Sequence, residues 1–260
     1  MNLPDIVLLA VAGLAAGTVN AIAGGGSLIT FPALIATGLG SVPANVTNSV
    51  SVFPGYAASV YGSRTDLADL ARDHTGKRTL LGLVPTSVIA AGLGCALLLA
   101  TPQEAFDLVV PFLVLGAAGV LAFQDRLRRL VGHPRHLSPR RRVLSLHAMV
   151  FVGSLYGGYF GAALGVMLVA ALGLVLDASM ARVSALKNVI SALGGLVTVV
   201  AFGLFGPVDW ADVAVVAPAA IVGGYVGARV ARRLPGAVLK GLIVAFGVTV
   251  GLILLYRALS

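Results

Sequence analysis

The chain has 260 residues, 58% of them hydrophobic and only 11% charged, with a mean hydropathy of +0.98. Soluble domains carry about 25% charged residues, so these charges are too few to cover a water-facing surface and the composition excludes a soluble fold. The formal net charge of +8 reads as Lys and Arg facing the cytoplasm and anionic lipid. Nucleic acid is not expected as a partner, because basic and aromatic residues are not interleaved and no recognition module is present. The single cysteine, Cys95, rules out an internal disulfide and a Cys-rich metal site. It lies in an apolar run and reads as a small packing residue.

One crossing needs roughly 20 apolar residues, so the length accommodates about eight to ten spans. Apolar segments fall at residues 6–23, 28–39, 44–61, 79–100, 105–123, 143–163, 164–176, 183–205, 210–230 and 237–255. Ala21-Ile22-Ala23 resembles a signal-cleavage site. Residues 1–5 contain no Lys or Arg, however, and the first segment is read as a retained span. The second and seventh segments are short for a full crossing and read as half-helices, tilted spans or re-entrant pieces. The longest polar connections are 62–78 and 124–142.

The halves repeat. A shift of 140 positions lays Gly13 on Gly153, Gly17 on Gly157, Gly25 on Gly165, Asn48 on Asn188, Ser51 on Ser191 and Gly55 on Gly195 without a gap. A shift of 133 then matches Pro85 to Pro218, Gly94 to Gly227 and Pro102 to Pro235. Equivalent loops carry opposite charge bias. The loop with Arg64, Arg72, Lys77 and Arg78 corresponds to 206–209, which has no Lys or Arg. The uncharged-by-base turn at 101–104 corresponds to one holding Arg229, Arg232 and Arg233. Such loops belong on opposite membrane faces, the signature of an inverted repeat. The expected fold is therefore an all-α integral membrane protein of two homologous helical repeats, inverted, with Gly-broken short helices. Residues 1–124 form the first repeat, 125–142 a basic cytoplasmic linker and 143–260 the second repeat. Five crossings per half leave both termini outside. The competing arrangement, four crossings and a re-entrant piece per half with the halves parallel, leaves Arg182, Arg229, Arg232 and Arg233 outside.

Three groups of residues break the apolar pattern. Gly24, Gly25 and Gly26 precede Ser27; consecutive glycines disfavour helix by about 1 kcal/mol each. A break here frees backbone N–H groups, and Ser27 caps the next short helix, whose positive end suits an anion. A plain turn at the membrane edge is the alternative. Thr47, Asn48 and Ser51 match Lys187, Asn188 and Ser191, each Asn–Ser pair sharing one helix face. These groups either replace the hydration shell of a small oxyanion or hydrogen-bond between helices. Lys187 is a basic residue within an apolar span. It either counters an anion's charge, with Asp177 its most plausible acidic neighbour, or snorkels to the interface with Arg182. The four-residue stripe Gly13, Gly17, Ala21, Gly25 and its counterpart Gly153, Gly157, Gly161, Gly165 reads mainly as close helix packing. His74, His133 and His136 read as solvated, and His147 lies near the start of a span; none has metal-ligand spacing.

The stretch Ala23-Gly24-Gly25-Gly26-Ser27, the following Phe31-Pro32, Ala44-Asn45-x-Thr47-Asn48, the run from Gly157 to Gly165 and Ala185-Leu186-Lys187-Asn188 together resemble the sulfite exporter TauE/SafE family, also called the toluene-sulfonate uptake permease family. The resemblance implies a cytoplasmic-membrane transporter, in the exporting direction, of a small sulfur-containing anion such as sulfite or a sulfonate. It also implies that Gly24, Gly25, Gly26, Ser27, Asn48 and Asn188 lie near the pathway. The second half departs from the pattern, with Ala163-Leu164-Gly165-Val166 in place of the triple glycine, so the second break is expected to be less open. The function expected is a secondary transporter working by alternating access, driven by a gradient of a coupling ion, proton or sodium, or by the substrate's own gradient; no nucleotide-binding loop is present. An anion channel is the alternative, and a membrane-embedded enzyme a weaker one, since acids and histidines are sparse. No cofactor is expected, and a homodimer is left open.

Overall fold

The computed structural model describes residues 2–22, 25–72, 74–126, 138–176, 178–230 and 236–259. Among these described residues eleven helices follow in order: α1 Leu3–Ile22, α2 Ser27–Ala36, α3 Ser41–Gly62, α4 Arg64–Arg72, α5 His74–Ala100, α6 Gln103–Ala122, α7 Pro139–Tyr159, α8 Leu164–Gly173, α9 Met180–Phe205, α10 Trp210–Val230 and α11 Gly236–Leu259. No strand occurs among the described residues. Five of the described helical stretches, Leu3–Asn20, Gly76–Ala100, Gln103–Ala122, Ala181–Phe205 and Gly241–Ala258, are long and apolar enough to cross a bilayer. Their outward sides carry exposed Leu93, Leu97, Phe112, Val200, Leu204 and Leu252, which is the face that lipid covers. This is an all-helical, multi-pass membrane protein.

One stretch read as a polar connection is ordered helix. Within 62–78, α4 forms because Leu70 turns inward and is buried while Arg64, Asp69 and Arg72 stay exposed. Arg64 stacks over the Tyr61 ring at 4.6 Å, and Arg72 pairs with Asp69 at 3.1 Å on the surface, a contact of little energetic consequence at that exposure. Much of the 125–142 linker, with Arg128, Arg129, Arg135, His133 and His136, lies outside the described residues, as do Gly24, Asp177, Arg232 and Arg233.

Small residues set the closest helix crossings. A Cβ added at Gly17 of α1 would sit 2.0 Å from Ala220 O of α10, and one at Gly223 would sit 2.1 Å from Leu14 O. Reciprocally, Cβ atoms at Gly94 of α5 and Gly158 of α7 would sit 2.1 Å from Leu155 O and 2.2 Å from Ala91 O. Only hydrogen fits there, so the backbones come into direct contact. The two glycine stripes do not play the same part. Gly13 and Gly17 face α10, whereas Gly153 and Gly157 face Leu168 and Leu164 of α8; Gly158, one step aside, makes the α5 contact.

The order of contacts gives helix directions. Along α1 and α10, Gly13 meets Val216 and Gly17 meets Ala220, so the two run parallel. Along α5 and α7, Thr86 meets His147, Ser87 meets Ser154 and Gly94 meets Gly158, again parallel. The pair α3 and α9 is antiparallel: Asn188 meets Ser59 and Ser63, Gly195 meets Phe53 and Tyr56, and Gly206 meets Val46. The pair α6 and α11 is antiparallel too, with Gly247 against Ala118 and Gly251 against Leu115. One end of the bundle therefore collects Arg64, Arg72, Lys77, Arg78, Arg126, Arg140, Arg141, Arg142 and Arg182 against Asp66, Asp69 and Asp125; the other collects Asp5, Glu104, Asp107, Asp209, Asp212 and Arg257. Exposed Trp210 and Tyr256 flank that second end.

The helices α2 and α8 have 10 residues each, about 15 Å at 1.5 Å per residue, half of a hydrocarbon layer of about 30 Å. Ahead of α2, Gly25 has φ +106°, and Asn20 Oδ1 accepts from the N–H of Gly25 (3.1 Å) and of Gly26 (2.8 Å). Ahead of α8, Gly161 has φ +74° and Ala163 φ +57°. The Tyr156 hydroxyl donates to Ala162 O at 2.8 Å, and Asn45 Nδ2 donates to Tyr159 O at 2.8 Å.

Gly17→Val and Gly158→Val should each lower the thermal unfolding midpoint of detergent-purified protein, since overpacking costs about 1–3 kcal/mol or more. Gly116→Ala, where nothing lies within 4 Å, should leave it unchanged or raise it. Ala163→Gly should raise the midpoint by relieving a left-handed alanine, about 1 kcal/mol; a lowered midpoint would show that the turn is not strained.

Candidate functional site

A small cavity lies at the centre of the bundle, bounded by the starts of α2 and α8, the middles of α3 and α9, and the last third of α7. Its polar lining is Ser27, Asn48, Ser49, Tyr56, Ser154, Ser191 and Thr198, and Gly157, Gly161, Gly194 and Gly195 add backbone. No charged side chain lines it among the described residues. Its volume is about 20 Å³, room for a single water, so this conformation is closed around it. Phe160 forms part of the wall and is braced edge-on by Phe31 (5.4 Å between ring centres) and by Tyr156 (6.4 Å).

Most lining groups have local partners. Ser49 donates to Asn45 O at 2.8 Å, Thr198 to Gly195 O at 2.8 Å, and Ser154 shares a 3.0 Å hydrogen bond with Ser87. Asn48 Oδ1 accepts from the Thr30 hydroxyl, so what Asn48 has left to offer is its Nδ2 donor group. The Ser191 hydroxyl is different. It is 3% exposed and has no hydrogen-bond partner among the described residues. A buried hydroxyl without a partner costs on the order of 1–3 kcal/mol, and such groups call for an explanation. Here the hydroxyl borders a cavity flanked by two helix N-termini. Each helix end carries a partial positive charge of roughly half a unit, which favours an anion there without any cationic side chain, and the Ser191 hydroxyl can donate to it.

Of the residues singled out in the sequence, the structure brings Ser27, Asn48 and Ser191 to this cavity. Gly25 and Gly26 are buried beside it, but Asn20 takes their N–H groups rather than leaving them for a ligand. Gly24 lies outside the described residues. Ser51 donates back to Thr47 O at 2.8 Å. Thr47 Oγ1 accepts from Asp209 N at 3.0 Å, joining α3 to the residue that caps the start of α10 at the acidic end. Asn188 Nδ2 reaches Ser59 O at 3.2 Å and Ser63 Oγ at 2.6 Å at the basic end. Lys187 is half-buried, its Nζ beside Gly165 of α8 and off the cavity wall. The matched Asn–Ser pairs thus do not face each other. Because α3 and α9 are antiparallel, equivalent positions lie at opposite heights.

Tyr56, Ser154 and Thr198 escaped the sequence reading. A signal for two of them existed. Asn48, Val52 and Tyr56 follow each other at four-residue steps, as do Ile190, Gly194 and Thr198, so continuing each helix face leads to them. Ser154 sits inside the glycine stripe of α7, and only the turn into α8 reveals its exposure to the cavity. Asn20 and Thr30, which hold the first break and Asn48, carried no signal of their own.

The chain matches the family model described as "Sulfite exporter TauE/SafE" over residues 9–254. It is 30% identical over 230 residues to the "Probable membrane transporter protein YfcA" of Escherichia coli (strain K12), covering 84% of this chain and 76% of that protein. It is 26% identical over 246 residues to a "Probable membrane transporter protein" of Haemophilus influenzae, covering 92% and 90%. It is 25% identical over 256 residues to the "Probable membrane transporter protein ORF9" of Sinorhizobium sp, covering 96% and 92%. No solved structure matches. With a helical membrane fold and a family match that spans almost its whole length, this chain belongs to the sulfite exporter TauE/SafE family of membrane transporters.

Proposed function

We propose that the protein is a secondary transporter of a small sulfur-containing anion, sulfite or a sulfonate, exporting it across the cytoplasmic membrane by alternating access around the central cavity. The observation that carries this reading is the partnerless Ser191 hydroxyl, buried in a cavity between the N-termini of α2 and α8. Half-helix N-termini aimed at an anion near the bilayer midplane are a recurrent transporter device. The sulfur chemistry rests on the family description, and the negative charge on the two helix N-termini at the cavity.

The inverted arrangement is supported by helix direction. If the equivalent helices α3 and α9 both cross, an antiparallel pair starts from opposite faces, and the same holds for α6 and α11. The parallel-halves arrangement requires both pairs to run the same way. Positive residues favour the cytoplasmic side, which puts the arginine-rich end inside and both termini outside.

Access would alternate through the α3–α9 pair. Thr47 bonded to Asp209, in the connection from α9 to α10, closes the acidic end, and Asn188 with Ser59 and Ser63 closes the basic end. Opening one end breaks its bonds while the other set holds, and the cavity widens to admit the anion. Coupling to a proton or sodium gradient supplies the direction.

Three outcomes are expected. In proteoliposomes, labelled sulfite or methanesulfonate should show saturable uptake with trans-acceleration; no movement of either, or large unitary currents, would overturn the carrier reading. Ser191→Ala should weaken apparent affinity about tenfold or more, since a hydrogen bond to an ion is worth about 1.5–3 kcal/mol, and Asn48→Asp should weaken it further by setting a like charge in the site. A reporter fused after Ser260 should read as non-cytoplasmic, and a cytoplasmic reading would exclude the inverted arrangement.

A further inference from the structure

A second opening lies away from the central cavity, between the second and third turns of α5 and α7 toward the basic end. It is a crevice of about 640 Å³ whose walls include Arg78, Thr79, Gly82, Leu83 and His147, with no carboxylate among the described lining residues. We propose that this crevice is a separate anion-binding site for an oxyanion of phosphate or sulfonate type, held by the Arg78 guanidinium and the His147 imidazole.

The chemistry of the wall favours that ligand. A guanidinium presents five donors in a planar fork that matches two oxygens of one oxyanion at once. His147 Nδ1 is tied to Thr86 Oγ1 at 2.8 Å, which fixes the ring. With Thr86 donating, Nε2 carries the proton and becomes a donor, and when the ring is protonated both nitrogens donate. Nε2 is the atom turned toward the crevice wall, 3.9 Å from where a Cβ on Gly82 would stand. The missing side chain at position 82 keeps that space open. Lys77, Arg140, Arg141 and Arg142 lie on the adjoining first turns of the same two helices and outnumber Asp66 and Asp69 of the neighbouring α4; a concave opening under an excess of positive charge raises the local anion concentration.

The crevice also opens on the same α5–α7 interface as the central cavity. One residue after Thr86, Ser87 pairs with Ser154 at 3.0 Å, and Ser154 borders that cavity. An anion held at Arg78 therefore stands at the foot of the α5–α7 interface that leads to the transport site. This last step rests on the function proposed above; the binding itself does not. The volume accommodates either a soluble oxyanion or the phosphate of an anionic phospholipid, with Leu83 along the acyl chain.

The test uses the full chain in phosphatidylcholine nanodiscs at low ionic strength, with inorganic phosphate as the probe and the His147 imidazole resonances of ¹⁵N-histidine-labelled protein as the readout. Phosphate should shift the His147 signals saturably. Arg78→Gln should raise the dissociation constant about tenfold, and Gly82→Leu, which fills the space and removes no charge, should abolish the shift. Arg64→Gln, an exposed charge at the same end, should leave binding as it was. Competition by phosphatidylglycerol added to the nanodiscs assigns the site to a lipid headgroup, and its absence to a soluble anion; both uphold the site. No saturable shift in the parent protein, or equal binding in folded Arg78→Gln and Gly82→Leu, overturns it, as does equal weakening by Arg64→Gln. Transport intact with no Arg78-dependent binding sinks this site alone. Arg78-dependent binding without any anion transport sinks the central-cavity reading alone.

Discussion

Within a bilayer no water is present to satisfy backbone N–H and C=O groups, so a helix can stop at membrane depth only where protein supplies their partners. Everything at the centre of this molecule follows from that constraint. The break ahead of α2 is held by Asn20, whose single oxygen takes two glycine N–H groups. The break ahead of α8 is held by Tyr156 and Asn45 from the neighbouring helices. With these bonds in place two half-length helices begin inside the bundle rather than at its surface, and their positive ends meet one cavity. A charged side chain would give a similar field at a much larger desolvation cost.

The glycine crossings do the complementary work. Backbone contact at Gly17 with Ala220 and at Gly158 with Ala91 ties each early helix of one half to a late helix of the other. Dispersion and close fit, not the hydrophobic effect, hold such pairs together in lipid. The two tight pairs flank the looser α3–α9 pair, where aromatic Phe53 and Tyr56 pack on Gly195 and hydrogen bonds close the two ends.

Much of the site was legible as departures from apolar pattern. Ser27, Asn48 and Ser191 stood out because a lone polar group in an apolar run needs a partner, and all three border the cavity. Thr47, Ser51 and Asn188 stood out for the same reason and found partners elsewhere. Local sequence cannot separate the two cases, since both obey the same rule and differ only in which backbone atom lies opposite. His147 shows the converse. It read as an unremarkable residue near a helix start, and packing made it part of a crevice wall beside Arg78.

The sequence by itself determined the solvent and the class of fold, because 58% hydrophobic residues and so few charges leave no alternative to lipid, and in lipid helices satisfy their own backbones. It also determined where the first chain break falls, because consecutive glycines hold helix poorly wherever they occur. Only the tertiary structure decided that α3 and α9 run antiparallel, that Asn20 answers the first break, and that Ser191 is left without a partner. Those are relations between residues far apart along the chain, and hydropathy, periodicity and charge count describe each residue's own neighbourhood, never the one it meets across the bundle.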